Sequence, residues 1–444
     1  MSTNQTFTGY LPDEKPSFGK LVLFAVQQIL VMFPATVMVA LLTGFHVSTT
    51  IFASGLATLC FLFVTKGKIP LYYGSSFSYI SAIVGITGAT YGEVAPDILI
   101  SQAQFGIIMS GLVSIIAGLV VNKFGQDKIE KFLPATVTGS IAIIIGLSLA
   151  GSAMTGALGY QVVDGVASMD MKSAIVAIVT LTSTILFSVY LKKGILGQVP
   201  ILMGILVGYG LSIALGMIDF GSIFSQPVLQ APHITLPSAN WKAVTAIMPI
   251  AIATIPESTA HLFQLDIYVN NVAKMKNSKK RYDIGNRLGS NLIGDGVGDI
   301  VSAMFGGPAG TNYGENISTM AITNNFSVYV LGTAAIITML ISFVSPLSAL
   351  VSSIPSAVIN GVGIYLFGVI GAQGIAIIIN KGVDLFDARN LAIISVILII
   401  GLGGSFAFEG GMILIGTWEL PAIATASIVG ILFNILLSFK KETE

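Results

Sequence analysis

A chain of 444 residues that is 54% hydrophobic and only 9% charged cannot cover a water-soluble surface, because ordinary soluble domains carry about 25% charged residues. With a mean hydropathy of +0.88, this is the composition of a polytopic membrane protein. Zero net charge argues against nucleic acid as a partner, and the single cysteine, Cys60, excludes a disulfide framework and a thiolate metal site.

The start, through Tyr10 and Pro16, is polar and lacks a cleavable signal pattern. A helix needs roughly 20 apolar residues to cross a bilayer. That criterion places spans near 19–44, 50–65, 70–88, 98–122, 134–152, 173–191 and 197–218. After an outer loop at 219–241 come spans near 243–266, 285–306, 311–325, 327–348, 352–378, 390–406 and 411–438. The expectation is an all-α polytopic protein of about 14 segments. Spans three and ten are too polar and glycine-rich to face lipid, so each reads as a half-helix preceded by a short extended piece buried in protein. Seven spans on each side of the outer loop place the second half upside down relative to the first, as two inverted repeats.

The cations test this count. Lys15, Lys20, Lys66, Lys68, Lys123, Lys128, Lys131, Lys192, Lys193, Lys274, Lys276, Lys279, Lys280, Arg281, Arg287, Lys381, Arg389, Lys440 and Lys441 all fall on one side. Only Lys172 and Lys242 fall on the other. The cation-rich side is cytoplasmic, so both termini are expected inside a plasma or bacterial inner membrane.

Two hexapeptides, Tyr73-Gly74-Ser75-Ser76-Phe77-Ser78 and Tyr313-Gly314-Glu315-Asn316-Ile317-Ser318, share the pattern Tyr-Gly-x-x-(Phe/Ile)-Ser and lie 240 positions apart (313 − 73). They fall in spans three and ten. Matched glycine-interrupted segments in two halves of a membrane protein point to a transporter binding site. Half-helix N-termini there offer free N–H groups and a positive dipole end. Glu315 follows Gly314 at one such end, and Phe77 lies in the equivalent region of span three. An aromatic face beside backbone donors and carboxylates suits a planar heterocycle with alternating N–H and C=O groups. Ser76 and Tyr313 complete the candidate binding set.

Glu257 and His261, in span eight, are at i and i+4 and share a helix face. Ionisable groups at membrane depth are costly and mark function by default, so the pair reads as a proton site coupled to substrate, against a structural Glu–His link. Pro256 weakens the helix just before it. Asp295 and Asp299, in span nine, are also i, i+4; Asp295 reads as the buried one, either supporting span ten or relaying protons. Thr311 and Asn312 are expected to satisfy the broken backbone, and Asn316 to do likewise or to fix Glu315. His46 and His233 fall in outer loops and read as solvated. The run Lys274 to Arg281 reads as a plain cytoplasmic loop. No P-loop, zinc motif or nucleophile elbow occurs, so neither an enzyme with catalytic residues, nor a metal, nor a cofactor other than the coupling proton is expected.

Gly67-Lys68-Ile69-Pro70 through Gly74-Ser75-Ser76-Phe77, Glu257 with His261, and Tyr313-Gly314-Glu315-Asn316 running to Ala321-Ile322-Thr323 resemble the nucleobase–ascorbate transporters, and most closely their bacterial uracil permease branch. The resemblance covers nearly the whole chain. It implies two inverted repeats of seven spans, with short antiparallel strands in spans three and ten. It implies a core domain (1–133 and 242–349), a gate domain (134–241 and 350–444), a homodimer and an elevator-like movement. It also implies that Glu257 and Glu315 bind substrate, that Gly314 and Phe77 give backbone contacts, and that His261 serves proton coupling. Uracil permeases carry Glu at the Glu315 position, whereas xanthine and urate carriers usually have Gln. The expected function is therefore a proton-coupled importer of a nucleobase, uracil first. The rivals are a purine carrier for xanthine or urate and, more remotely, an anion carrier or an uncoupled channel.

Overall fold

The computed structural model describes residues 9–125, 133–163, 166–191, 199–221, 227–416 and 418–438. Lys128, Lys131, Lys192, Lys193, Lys440 and Lys441, used above for orientation, lie outside them.

The protein is mostly helical. The first bundle of helices is α1 (Phe18–Thr43), α2 (Val47–Val64), α3 (Ile80–Thr87) and α4 (Asp97–Phe124). Then come α5 (Ala135–Ser148), α6 (Ala150–Ala157), α7 (Met171–Tyr190) and α8 (Pro200–Ala214). After a long connection follow α9 (Trp241–Ile247), α10 (Ile250–Met275), α11 (Leu288–Met304), α12 (Gly314–Thr323), α13 (Val328–Ile341) and α14 (Ser345–Ser352). The chain closes with α15 (Ser356–Asn380), α16 (Ala388–Leu398), α17 (Gly404–Ala407) and α18 (Ala422–Ser438). Eight helical stretches among the described residues are long and apolar enough to cross a membrane.

Strand β1 (Tyr73–Ser75) precedes α3. Hairpin β2 (Gln161–Val163) and β3 (Val166–Ser168) lies between α6 and α7. Strand β4 (Gly310–Asn312) precedes α12, and hairpin β5 (Met412–Ile415) and β6 (Trp418–Pro421) precedes α18. β1 and β4, distant in sequence, pair antiparallel in the register Tyr73–Asn312, Gly74–Thr311, Ser75–Gly310. Both strands are buried.

Helix packing follows the glycines. α4 packs along α11, and α2 packs on α13 and α11. Built on Gly111, a Cβ would stand 2.6 Å from the Gly296 carbonyl; on Gly118, 2.5 Å from that of Gly289. Small residues let backbones approach this closely where lipid offers no hydrophobic drive for association. The same device joins α5 to α15, where a Cβ on Gly139 would meet the Gly374 carbonyl at 2.8 Å. α7 packs on α8 and α15, and α16 on α5 and α18.

The segment before α1 docks on the end of this assembly. Tyr10 N–H donates to Asn324 O at 2.9 Å, and Phe326 N–H donates to Tyr10 O at 2.8 Å. Lys276 pairs with Glu14 at 2.5 Å, and Lys280 with Asp13. Burial works to raise the Asp13 carboxyl, but hydrogen bonds from Lys280 and Tyr282 outweigh it and hold the group below its ordinary value. The Lys274–Arg281 run, expected to be plain loop, therefore supplies anchors for the N-terminal segment.

Candidate functional site

An open strand in hydrocarbon must have its backbone groups satisfied by protein, and two flanking helices do this. Ser54 Oγ donates to Tyr73 O at 2.9 Å and Thr58 Oγ1 to the same oxygen at 3.0 Å. Thr58 Oγ1 also accepts from Tyr73 N–H at 3.1 Å. On the other side, the Asp299 carboxylate accepts from Gly310 N–H at 2.8 Å and from Tyr73 O–H at 2.5 Å. Ser302 Oγ donates to Pro308 O at 2.7 Å. Thus α2 holds β1, and α11 holds β4.

The ladder is continued by Tyr313 N–H to Tyr72 O and by Ser76 N–H to Ala309 O, both at 3.0 Å. Its local twofold passes through the Gly74–Thr311 pair. It relates Tyr73 to Gly310, Ser76 to Tyr313 and Phe77 to Gly314. The two Tyr-Gly motif copies are therefore three residues out of structural register: Tyr73 opens β1, whereas Tyr313 follows β4 and caps α12. The tyrosines interlock across the ladder. A Cβ on Gly74 would lie 2.4 Å from the Tyr313 ring, and one on Gly310 would lie 2.3 Å from the Tyr73 ring. Tyr313 O–H donates to Ser75 O at 3.0 Å and is 3.0 Å from Thr36 Oγ1 on α1.

Around this ladder the expected residues are placed as follows. Phe77 and Gly314 begin the two short helical segments, and Glu315 stands in the first turn of α12. Phe77, Glu257, His261, Gly314 and Glu315 are all half-buried. Ser78 Oγ lies 3.4 Å from Glu257 Oε2, and the Glu257 and Glu315 carboxylates are within electrostatic reach of each other. A Cβ on Gly314 would stand 2.9 Å from His261 Nε2. So Glu257 faces the β1 half and His261 the β4 half, although both project from one face of α10. His261 Nδ1 is buried and has no hydrogen-bond partner among the described residues. Ser76 Oγ accepts from Ser78 N–H at 3.3 Å. The Phe77 ring meets Phe367 of α15 edge-on, with centroids 5.7 Å apart.

Because Gly314 lets the α12 end approach the imidazole, Gly314→Ala must displace one or the other. Overpacking costs about 1–3 kcal/mol. The expected result is a roughly tenfold loss of substrate affinity, read by titration calorimetry on the purified protein, with unchanged expression.

Several supporting roles differ from the sequence expectation. Asp295 and Asp299 are both buried, and Asp299 more deeply. Asp295 accepts from Ser258 O–H and, at 2.7 Å, from the Asn312 amide. Asn291 donates to Ser258 Oγ at 2.6 Å. The Asn312 amide is thus engaged by a carboxylate and not by the broken backbone; the hydroxyls of α2 and the Asp299 carboxylate and Ser302 hydroxyl of α11 do that work. Asn316 donates to the backbone and side-chain oxygens of Gln28 at 3.0 and 2.8 Å, tying α12 to α1 and not to Glu315. Thr311 is buried and serves through its ladder pairing with Gly74. Sequence reasoning missed Ser54, Thr58, Ser78, Ser258 and Phe367. Ser54 and Thr58 carried a signal, an i, i+4 hydroxyl pair on an apolar helix, and Ser78 did as the shared serine of the repeated hexapeptide.

A cavity of about 810 Å³ runs between α10 and the ends of α5, α15, α16 and α18. Its wall includes Pro256, Thr259, Ala260 and Phe263 of α10 and Lys381 and Arg389 opposite. It thus borders the residues that flank Glu257 and His261, while Phe77, Glu257 and Glu315 do not line it.

Two broken helices joined through a buried ladder, with ionisable side chains gathered there at membrane depth, define a membrane transport protein. The sequence profile described as "Permease family" matches residues 19–410, and the chain belongs to that family, the nucleobase–ascorbate transporters whose motifs it carries. It is a transporter and not an enzyme. The uracil permease of Bacillus caldolyticus is 37% identical over 430 residues, covering 96% of this chain and 93% of that one. The uracil permease of Escherichia coli (strain K12) is 37% identical over 423 residues, covering 95% and 92%. Among solved structures, the transmembrane domain of the cyanobacterial bicarbonate transporter BicA superposes with a TM-score of 0.61 at 16% identity, covering 94% of this chain and 97% of that one. SLC26A9 gives 0.66 at 11% identity, covering 96% and 66%. These two likenesses show the fold alone.

Proposed function

We propose that this protein is a proton-coupled nucleobase importer whose substrate is uracil. The carrying observation is the convergence of Phe77, Glu257, His261, Gly314 and Glu315 at the ends of two half-helices joined by the β1–β4 ladder. The ring of a pyrimidine packs on Phe77, its N–H groups donate to the two carboxylates, and its carbonyls accept from the free N–H groups of the half-helices. The relatives named as uracil permeases support this substrate. Two carboxylates at the site disfavour an anion as cargo, although the solved structures of like fold are anion carriers.

The same reading takes the eight long apolar helices, the four shorter apolar ones, and α11 and α12 as fourteen segments in two inverted repeats. α1–α4 and α9–α14 form the core, and α5–α8 with α15–α18 form the gate. The termini and the lysine-rich loops are cytoplasmic, in a plasma or inner membrane. The cavity beside α10 then opens inward. On the opposite side Lys242 of α9 pairs with Glu419 of β6 at 2.8 Å, closing core against gate. Transport is an elevator-like displacement of core past gate, in a homodimer.

Uptake of labelled uracil into cells lacking their own nucleobase carriers tests the reading. Accumulation blocked by cold uracil and by a protonophore, but not by xanthine, is the expected result. Competition by xanthine alone would move the substrate to purines. Glu315→Gln is expected to weaken uracil binding about tenfold and raise competition by xanthine, since an amide supplies one acceptor where the carboxylate supplies two. Unchanged uracil affinity in that variant would remove Glu315 from substrate selection.

A further inference from the structure

The connection between α8 and α9 brings His233 back across the molecule to the ends of α1, α2 and α4 that lie away from Lys20, Lys66 and Lys68. There His46, at the N-cap position of α2, lies beside His233 with ring centroids 4.4 Å apart and the ring planes tilted by 44°. Both imidazoles present Nε2 to the same carboxylate, Asp97 in the first turn of α4. His233 Nε2 is 2.9 Å from Asp97 Oδ2, and His46 Nε2 is 3.8 Å from Asp97 Oδ1. The two histidines expected to be separately solvated are thus one cluster with an acid.

We propose that His46, Asp97 and His233 form a binding site for a divalent transition metal of the Zn2+ class. One donor atom from each residue lies within 4.8 Å of the other two. Zn2+ takes imidazole nitrogen and carboxylate oxygen at about 2.0–2.2 Å, which sets neighbouring donors of a tetrahedral site about 3.4 Å apart. The two imidazoles reach the two oxygens of one carboxylate at 2.9 and 3.8 Å, close to that spacing, so side-chain adjustment brings one donor from each residue round a single ion. His46 Nε2 is buried and has no hydrogen-bond partner among the described residues. A buried nitrogen without a partner is costly, and a metal bond would satisfy it. Two imidazoles and one carboxylate leave a fourth position for solvent. A cavity of about 460 Å³, lined by His46, Ser48, Gln230, His233 and Ser345, leads to it. Mg2+ and Ca2+ require six or more oxygen donors and do not suit two nitrogens, whereas imidazole suits Zn2+, Ni2+ and Cu2+.

The connection is already fixed on both sides of His233. Thr49 Oγ1 donates to His233 O at 2.7 Å, and the Gln104 amide donates to Thr235 O at 2.8 Å. Ser345 N–H donates to Val228 O at 3.2 Å. A bound metal would add a side-chain clasp that holds the 227–240 segment to the ends of α2 and α4.

The test uses purified full-length protein in detergent, titrated with Zn2+ and, in parallel, Mg2+. The expected result is one Zn2+ per chain, a raised unfolding temperature with Zn2+ and none with Mg2+. Loss of an outer-shell partner alone costs about 10–100-fold in metal affinity, so His46→Ala and His233→Ala should each weaken Zn2+ by about 100-fold or more. His261→Asn, which alters the chain's third histidine, should bind Zn2+ as the parent does. Parental Zn2+ affinity in both His46→Ala and His233→Ala, or its loss in His261→Asn, overturns the proposal. The zinc-edge X-ray absorption spectrum of the unaltered protein needs no variant: scattering from two imidazoles supports the site, and from one or none overturns it.

Discussion

Glu257→Gln is expected to reduce uphill accumulation of labelled uracil by about 100-fold or more at equal protein in the membrane. The substitution keeps the size and one acceptor oxygen of the side chain but removes its capacity to take up and release a proton. Glu257 is placed for that exchange: half-buried, 3.4 Å from Ser78 Oγ, and beside the residues that border the large cavity. A carrier without the exchange still equilibrates substrate down its own gradient. The measurement is therefore paired, accumulation against exchange of labelled for unlabelled uracil across loaded vesicles. Loss of accumulation with retained exchange assigns proton coupling to Glu257. Parental accumulation would end that assignment.

Asp299→Ala is expected to be the most destabilising single change near the site. It strips the acceptor from Tyr73 O–H and from Gly310 N–H at once. Each buried donor left unpaired costs about 1–3 kcal/mol, so the loss is about 2–6 kcal/mol. Both donors reach the same oxygen, Oδ1, so Asp299→Asn, whose amide oxygen can accept from both, should cost much less. Thermal unfolding in detergent reads both. If Asp299→Ala melted like the parent while transport fell, the residue would act in the transport cycle and not in holding β4.

Much of the candidate site is legible in the sequence. The two polar, glycine-rich interruptions stand out because hydrocarbon tolerates no open backbone without a reason, and Glu257 with His261 stand out because charge at that depth is costly. What stayed hidden depends on partners remote in sequence. Ser54 and Thr58 look like ordinary helix hydroxyls until Tyr73 is laid against them. Asp295 and Asp299 look alike on a helix wheel; only the position of Gly310 shows that Asp299 is the more enclosed. His46, Asp97 and His233 share no spacing at all, since the N-terminal ends of α2 and α4 and the connection before α9 bring them together. Phe367 is one aromatic among many until α15 is seen to cross Phe77.

The register of the β1–β4 ladder has a consequence for selectivity. A cradle built by twofold pairing would, if its two sides were chemically alike, accept a ligand equally well in two poses related by a half-turn. Here the related positions are unlike: Phe77 answers Gly314, Ser78 answers Glu315, and Ser76 answers Tyr313. One side offers a flat apolar face and a hydroxyl, the other an open backbone and a carboxylate. The degeneracy is removed by the side chains and by the backbone beyond the ladder, where Phe77–Tyr79 forms a 3-10 turn but Gly314 begins an α-helix. A planar ligand that is itself lopsided in donors and acceptors is thereby held in one handedness of approach.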